Sequence, residues 1–199
     1  MRTIYFITGN KGKLKEAKSM LSKINVNVIQ NNLGYPEIQA DSLEDVASFG
    51  AKYIQKKIDS TFILEDAGLF IENLNGFPGV YSAYVFYTIG CNGILKLLDG
   101  VDTDIRIARF KSVLTYVEPD KKPRFLSGEC HGKISTLEKG NQGFGYDPIF
   151  IPNGKTKTFA QMDTKEKNRI SHRGKSFKKL LRLLKDKWII TFYYLVAIF

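Results

Sequence analysis

Cysteine is scarce in this chain: Cys91 and Cys130 are the only two among 199 residues. They lie far apart and in no metal-ligand spacing, which excludes a zinc-ribbon type of site and the dense disulfide framework of small secreted domains. Reduced thiols in a cytoplasmic protein are the expected state, with a single bridge between the two left open. No apolar run is long enough to span a bilayer. The longest, "WIITFYYLVAIF" from Trp188 to Phe199, has twelve residues, against the ~20 that a spanning helix needs. Only about five apolar residues precede Gly9, too few for the core of a secretory signal. No repeat and no linker rich in Pro, Gly or Ser marks a domain cut. The expectation is a single two-lobed domain over residues 1–187, followed by an apolar extension over 188–199 that packs on the body or on a partner subunit, with a basic helix leading into it.

Acidic residues are also few. Twenty Asp and Glu oppose thirty Lys and Arg, for a formal net charge of +10. Such an imbalance predicts attraction to polyanions, either nucleic acid or a nucleotide polyphosphate. The excess is local. Twelve Lys or Arg lie between Lys155 and Lys187, opposed only by Asp163, Glu166 and Asp186.

What is present is an alternation of patterns. Thr3–Ile7 reads as a short buried strand, Gly12–Lys23 as a helix and Val26–Gln30 as a second strand. Asp41 or Ser42 can cap a helix whose apolar face is Leu43, Val46, Ala47, Gly50, Ala51 and Ile54. Thr61–Leu64 reads as a buried strand ending at "EDAG". This order predicts an α/β fold with part of its sheet parallel. Ile105–Val117 and Arg124–Ile134, separated by "EPDKKP", predict an antiparallel hairpin. A short strand over Pro148–Ile151, a loop, and a helix from about Gly174 follow, the helix striped by Phe177, Leu180, Leu181 and Leu184.

Five segments can carry chemistry. "TGNKGK", Thr8 to Lys13, runs from strand to helix but lacks the spacing and the hydroxyl of a Walker loop. Its glycines, the helix N-terminus, Lys11 and Lys13 still suit an anion, and Thr8 and Asn10 add polar side chains. An ordinary strand-to-helix turn explains it equally well. Glu65 and Asp66 sit where an α/β strand ends, and an acid pair near a phosphate grip suggests Mg²⁺. Glu37, in "YPEIQ", is by itself a solvated loop carboxylate. In "GFGYDPIF", Gly143 and Gly145 bracket Phe144 and leave its ring free to stack on a base, with Tyr146 and Asp147 following; a tight turn with a core Phe is the alternative. In "EKNRISHRGKS", Lys167, Ser171, His172 and Arg173 precede a helix, where an anion or a polar base edge can dock. The charges further along that helix read as a solvated face.

Taken together and in this order, "TGNKGK", "LEDAGL" with "LNGFPGVYSA", "GFGYDPIF" and "EKNRISHRGKS" resemble the inosine triphosphate pyrophosphatase family, over about Tyr5 to Leu184. "YPEIQ" and "VASFGAKY" are similar to its archaeal branch. The resemblance implies an elongated, mixed central sheet with two lobes flanking an active-site groove, and a homodimer. It implies Mg²⁺-dependent hydrolysis of non-standard purine nucleoside triphosphates (ITP, dITP, XTP) to the monophosphate and pyrophosphate. By position it makes Thr8, Gly9, Asn10, Lys11, Gly12 and Lys13 the triphosphate grip. Glu37 and Asp66 become the magnesium acids. Asp66 is also the general base, helped by Glu65 and Lys13. Ala67, Phe144, Gly145, Tyr146, Asp147, Lys167, Ser171, His172 and Arg173 become nucleotide contacts. Two features depart from the family. Gly50 stands where many relatives carry a Lys, with Lys52 on a different face of the helix, and Trp188–Phe199 has no counterpart. Specific nucleic-acid binding and membrane attachment are not expected. A nucleic-acid-binding module and a pyrophosphatase of modified pyrimidine nucleotides are the competing readings.

Overall fold

A computed structural model describes residues 2–22 and 24–196, with side chains described to residue 186. Strand β1 (Arg2–Ile7) leads through Thr8–Asn10 into helix α1 (Lys11–Leu21), and β2 (Val26–Asn31) returns parallel to β1. Asn10 caps α1 by accepting the Lys13 N–H at 3.0 Å. Helix α2 (Leu43–Gln55) is capped by Ser42, with Glu44 and Asp45 in its first turn, where the helix dipole favours them. Strand β3 (Phe62–Ile71) is followed by two short helices, α3 (Ser82–Thr88) and α4 (Gly90–Leu97). The expected hairpin is present as β4 (Ile107–Val117) and β5 (Arg124–Ile134). Strand β6 (Phe150–Pro152), α5 (Thr164–Ile170) and α6 (His172–Val196) complete the chain.

The sheet runs β2-β1-β3-β4-β5-β6, parallel on the β2-β1-β3 side and antiparallel from β3 to β6. This is the mixed α/β sheet that the sequence predicts. Alternation along β3 distributes its side chains between two faces. Phe62 and Leu64 join Ile7, Ala47, Ala51 and Ile54 under α2. Ile63 joins Phe6, Leu21, Phe177 and Leu180 under α1 and α6. Farther along, Leu69 and Ile71 enter a third core with Ile94, Phe110, Phe150 and Phe159. Both cysteines are free and buried in that third core.

Four expectations need correction. Strand β3 does not end at "EDAG"; it continues to Ile71 because Glu65 to Ile71 pair with Leu114 to Ala108 of β4. What ends there is β1, which pairs with β3 only at Tyr5 and Phe6. Helix α6 begins at His172 rather than about Gly174, because the Ser171 hydroxyl oxygen accepts the Gly174 N–H at 3.1 Å and caps the first turn. The segment before it is helix α5, too short for its apolar period to stand out. Helices α3 and α4 are not expected from the sequence, both being brief and α3 carrying the exposed Tyr84 and Tyr87. The backbone of Trp188–Val196 continues α6. The expected packing of the Trp188–Phe199 side chains lies outside the described residues. Among the described residues no helix is long and apolar enough to cross a membrane.

Helix α6 approaches β5 closely at Gly128. A Cβ there would run into the His172 carbonyl oxygen and lie 2.7 Å from the Ser176 nitrogen, both rigid backbone. Gly128→Ala is therefore expected to cost about 1–3 kcal/mol, read as a lower thermal midpoint with unchanged secondary-structure content.

Candidate functional site

Where β1 turns away into α1, β3 continues beside a gap in the sheet. This is the switch position at which open α/β sheets place ligands. Two cavities meet there, of about 180 and 390 Å³, and Lys13 and Ala67 line both. Consecutive residues of β3 serve opposite faces. Glu65 points toward α1 and α6, and Asp66 points toward α2.

The smaller cavity is walled by rings and cations. Phe110 stacks on His172 with centroids 4.6 Å apart and planes inclined by 14°. The Phe144 ring lies 4.8 Å from Lys167 Nζ and 5.2 Å from the Arg173 guanidinium carbon. It is half-buried against Gly12, whose missing side chain leaves room for it. Phe144 is thus held from one side rather than freely presented. Its loop is fixed by Asp147, which accepts the Phe144 N–H at 2.8 Å and pairs with Lys167 Nζ at 2.6 Å. Tyr146 is buried, lines the cavity and donates its hydroxyl to the Ser82 carbonyl at 3.0 Å. Burial and the Arg173 charge hold His172 well below the usual histidine range, so its ring is neutral, and Nδ1 has no partner among the described residues.

The larger cavity is the polar one. Thr8, Gly9, Glu37 and Asp66 line it beside Lys13. The first turn of α1 carries no acidic residue, so its positive end is not offset. Thr8 Oγ1 already accepts the Asn10 N–H at 3.1 Å, and the Asn10 side chain caps α1, so both first serve to shape the loop. Asp66 Oδ1 accepts the Tyr35 hydroxyl at 2.6 Å, while Oδ2 is buried without a partner among the described residues. Burial lifts the Asp66 carboxyl to about 6, with Glu65 and Glu37 adding to the rise and Lys13 and Tyr35 opposing it. Burial also raises Tyr35 above its ordinary range, which keeps the phenol a proton donor. Glu37 and Asp66 form a two-carboxylate donor set, and no group of three or more His, Cys, Asp or Glu suited to a metal occurs among the described residues. Two hard oxygen donors facing an open, polar space fit Mg²⁺, which fills its remaining positions with water and substrate phosphate.

Between the cavities lies a buried ion network. Lys13 Nζ is 2.9 Å from Glu65 Oε2 and donates to the Glu65 carbonyl at 2.6 Å. Arg173 donates to Glu16 at 2.7 Å and to Glu65 at 3.3 Å, and Lys167 donates to Glu16 at 2.7 Å. Burial alone would raise the Glu65 carboxyl, but Arg173 and Lys13 hold it below the usual carboxylate range. Glu65 is therefore a fixed anion.

Most of the residues singled out in the sequence converge here. Lys11 is exposed and lines neither cavity, and Gly12 serves as a seat for Phe144. Ser171 is buried and caps α6 without reaching a cavity. The charge run splits: Lys167 and Arg173 turn inward, while Lys175, Lys178, Lys179, Arg182 and Lys185 are exposed along α6. Glu16, Tyr35 and Phe110 carry no sequence signal that marks them as functional, apart from one at Glu16. Glu16 had a signal: it shares the buried face of α1 with Ala17, Met20 and Leu21, where an unpaired carboxylate would be costly.

The Ham1 family model matches residues 4–183. The chain belongs to the Ham1 family. It is 51% identical over 181 residues to a dITP/XTP pyrophosphatase of Thermococcus kodakarensis, covering 91% of this chain and 96% of that protein. It is 50% identical over 182 residues to one of Pyrococcus horikoshii, covering 92% and 96%. Among solved structures, a HAM1 protein from Coxiella burnetii superimposes with a TM-score of 0.81 at 29% identity, covering 94% of this chain and all of that one. The Ham1 protein of Staphylococcus aureus gives a TM-score of 0.79 at 29% identity, covering 94% and 100%. Both archaeal relatives agree with the archaeal resemblance of "YPEIQ" and "VASFGAKY".

Removing the shared carboxylate of the ion network should be costly. Glu16→Gln leaves Lys167 and Arg173 each short of a charged partner and is expected to destabilise the fold by about 3 kcal/mol or more. Arg173 and Lys167 outweigh burial and hold the Glu16 carboxyl below its reference of 4.5. Its contribution is therefore present above that pH and lost as the pH falls below it. The gap between the wild-type and variant thermal midpoints should narrow in the same direction.

Proposed function

We propose that the chain hydrolyses non-standard purine nucleoside triphosphates, ITP, dITP and XTP, between the α- and β-phosphates, and that it needs Mg²⁺ to do so. One observation carries the reading. Asp66, lifted to about 6, lines a polar cavity at the positive end of α1 that adjoins a ring-walled cavity rich in cations, and Lys13 borders both. A flat base with a polyanionic tail suits that pair of spaces. The names of the archaeal relatives, dITP/XTP pyrophosphatase, support the same substrates.

In this reading the base enters beside Phe144, Tyr146 and His172. Lys13, Thr8, Gly9 and Asn10, with the α1 N–H groups, receive the phosphates, where Lys13 offsets charge that grows in the transition state. The Ala67 backbone spans both spaces. Asp66 takes the proton from the attacking water through an oxygen that no protein group occupies. Glu65 stays ionised and keeps Lys13 and Arg173 in place. Mg²⁺, held by Glu37 and Asp66, would supply charge neutralisation at the phosphates. Lys167, Arg173 and Asp147 hold the ring-walled cavity in shape. A purine with an acceptor at O6 pairs with donors at His172 and Arg173. Adenine presents a donor there, and an unpaired buried donor costs about 1–3 kcal/mol. This rejects ATP; discrimination against GTP must act at the 2-position. A homodimer and a cytoplasmic location belong to the same reading and rest on the resemblance.

The test is pyrophosphate release from ITP, XTP, GTP and ATP with Mg²⁺, scoring orthophosphate in parallel. Pyrophosphate from ITP and XTP with little from ATP is expected; orthophosphate as the product would mean a different cleavage. Asp66→Asn should lower kcat by on the order of 10²-fold or more. The base works only when ionised, so activity should fall as pH drops through about 6, or lower where a bound cation stabilises the carboxylate. A flat rate from pH 5 to 8 together with an Asp66→Asn variant that keeps the wild-type kcat would remove Asp66 as the base.

A further inference from the structure

Asp66 is held by a residue that nothing above assigns to the reaction. The Tyr35 hydroxyl donates to Oδ1 at 2.6 Å, and it is the side-chain donor that Asp66 has among the described residues. The other oxygen, Oδ2, has no partner among them. A carboxylate on one short side chain turns about a broad, roughly two-fold torsion, so a single strong hydrogen bond decides its orientation. The donor is neutral. It orients the carboxylate without cancelling its charge, unlike Lys13 and Arg173 at Glu65.

Tyr35 is itself clamped. Its ring packs beside the core under α2 and lies against Gly50, where a Cβ would be 2.8 Å from ring carbons Cε2 and Cζ. Glycine inside a helix costs about 1 kcal/mol relative to alanine, and α2 has no turn or positive φ at Gly50 to require it. The ring is what occupies the space. The chain enters this loop through Gly34 at φ +61° and leaves through Pro36, which fixes the approach of the ring.

We propose that Tyr35 is a positioning residue for Asp66, fixing its carboxylate so that Oδ2 is left free for the reacting groups, and that Gly50 is glycine so that the Tyr35 ring can reach it. This rests on the hydrolase reading above. It also accounts for the departure at Gly50: a longer side chain there would displace the tyrosine.

The test compares wild type, Tyr35→Phe, Gly50→Ala and the double variant, with thermal midpoints measured for all four. Loss of such an outer partner typically costs 10-fold or more. Y35F is therefore expected to lower kcat on ITP about tenfold, with KM within about twofold, because positioning acts on the transition state more than on binding. G50A should lower kcat similarly by displacing the ring, and the double variant should be no slower than the slower single variant, since both act through one hydrogen bond. Proton NMR supplies a readout independent of turnover. Wild type should show a protected low-field phenolic proton that is absent in Y35F and weakened in G50A. If Y35F fails to fold, G50A carries the same kcat and NMR comparison. An active wild type whose variants keep its kcat overturns the proposal alone, as do kcat losses that add independently. A wild type inert toward all four nucleotides overturns the hydrolase reading and the proposal with it.

Discussion

The site depends on a buried network of six charges, three of each sign: Lys13, Lys167 and Arg173 against Glu16, Glu65 and Asp147. They come from five parts of the chain: Lys13 and Glu16 from α1, and one each from β3, the Phe144 loop, α5 and α6. Buried pairs of this kind add little beyond what well-packed apolar residues would give. Their consequence is positional. Asp147 reaches Lys167 only when the Phe144 loop is folded as it is, and Arg173 reaches both Glu16 and Glu65 only when α6 starts at His172. The network therefore sets where the cations and rings of the smaller cavity stand.

The two acids of β3 illustrate how one strand separates two tasks. Glu65 faces the network, where Arg173 and Lys13 keep it ionised. Asp66, one residue on, faces the opposite side, where burial outweighs its partners and lifts it to about 6. Alternation along the strand is the cause, and the early end of β1 opens the space that both cavities use. A carboxylate kept as an anion beside one able to exchange a proton is an arrangement suited to general-base chemistry.

Much of this was legible in advance. The early strand and helix order, the hairpin, a cap for α2 at Asp41 or Ser42 and the stripe of α6 follow from periodicity and turn chemistry. The acid pair, "TGNKGK", Phe144 and the Lys167–Arg173 segment were all visible as candidates. Their roles were less so. Lys11 and Gly12 read like members of an anion grip, yet one is exposed and the other makes room for a ring. The strand carrying Asp66 looked finished because only its parallel partner stops there. Helices α3, α4 and α5 are too short for a period to be counted.

The sequence by itself determined the local elements, the inventory of chemical groups and the family, because propensity, capping and ordered motifs are local or linear properties. Only the tertiary structure decided which groups meet. Glu16 pairs with Arg173 across 157 residues, and Tyr35 finds Asp66 across 31. It also decided which charges are buried, and hence which carboxylate stays ionised and which is lifted, since desolvation and neighbouring charge depend on distances in space.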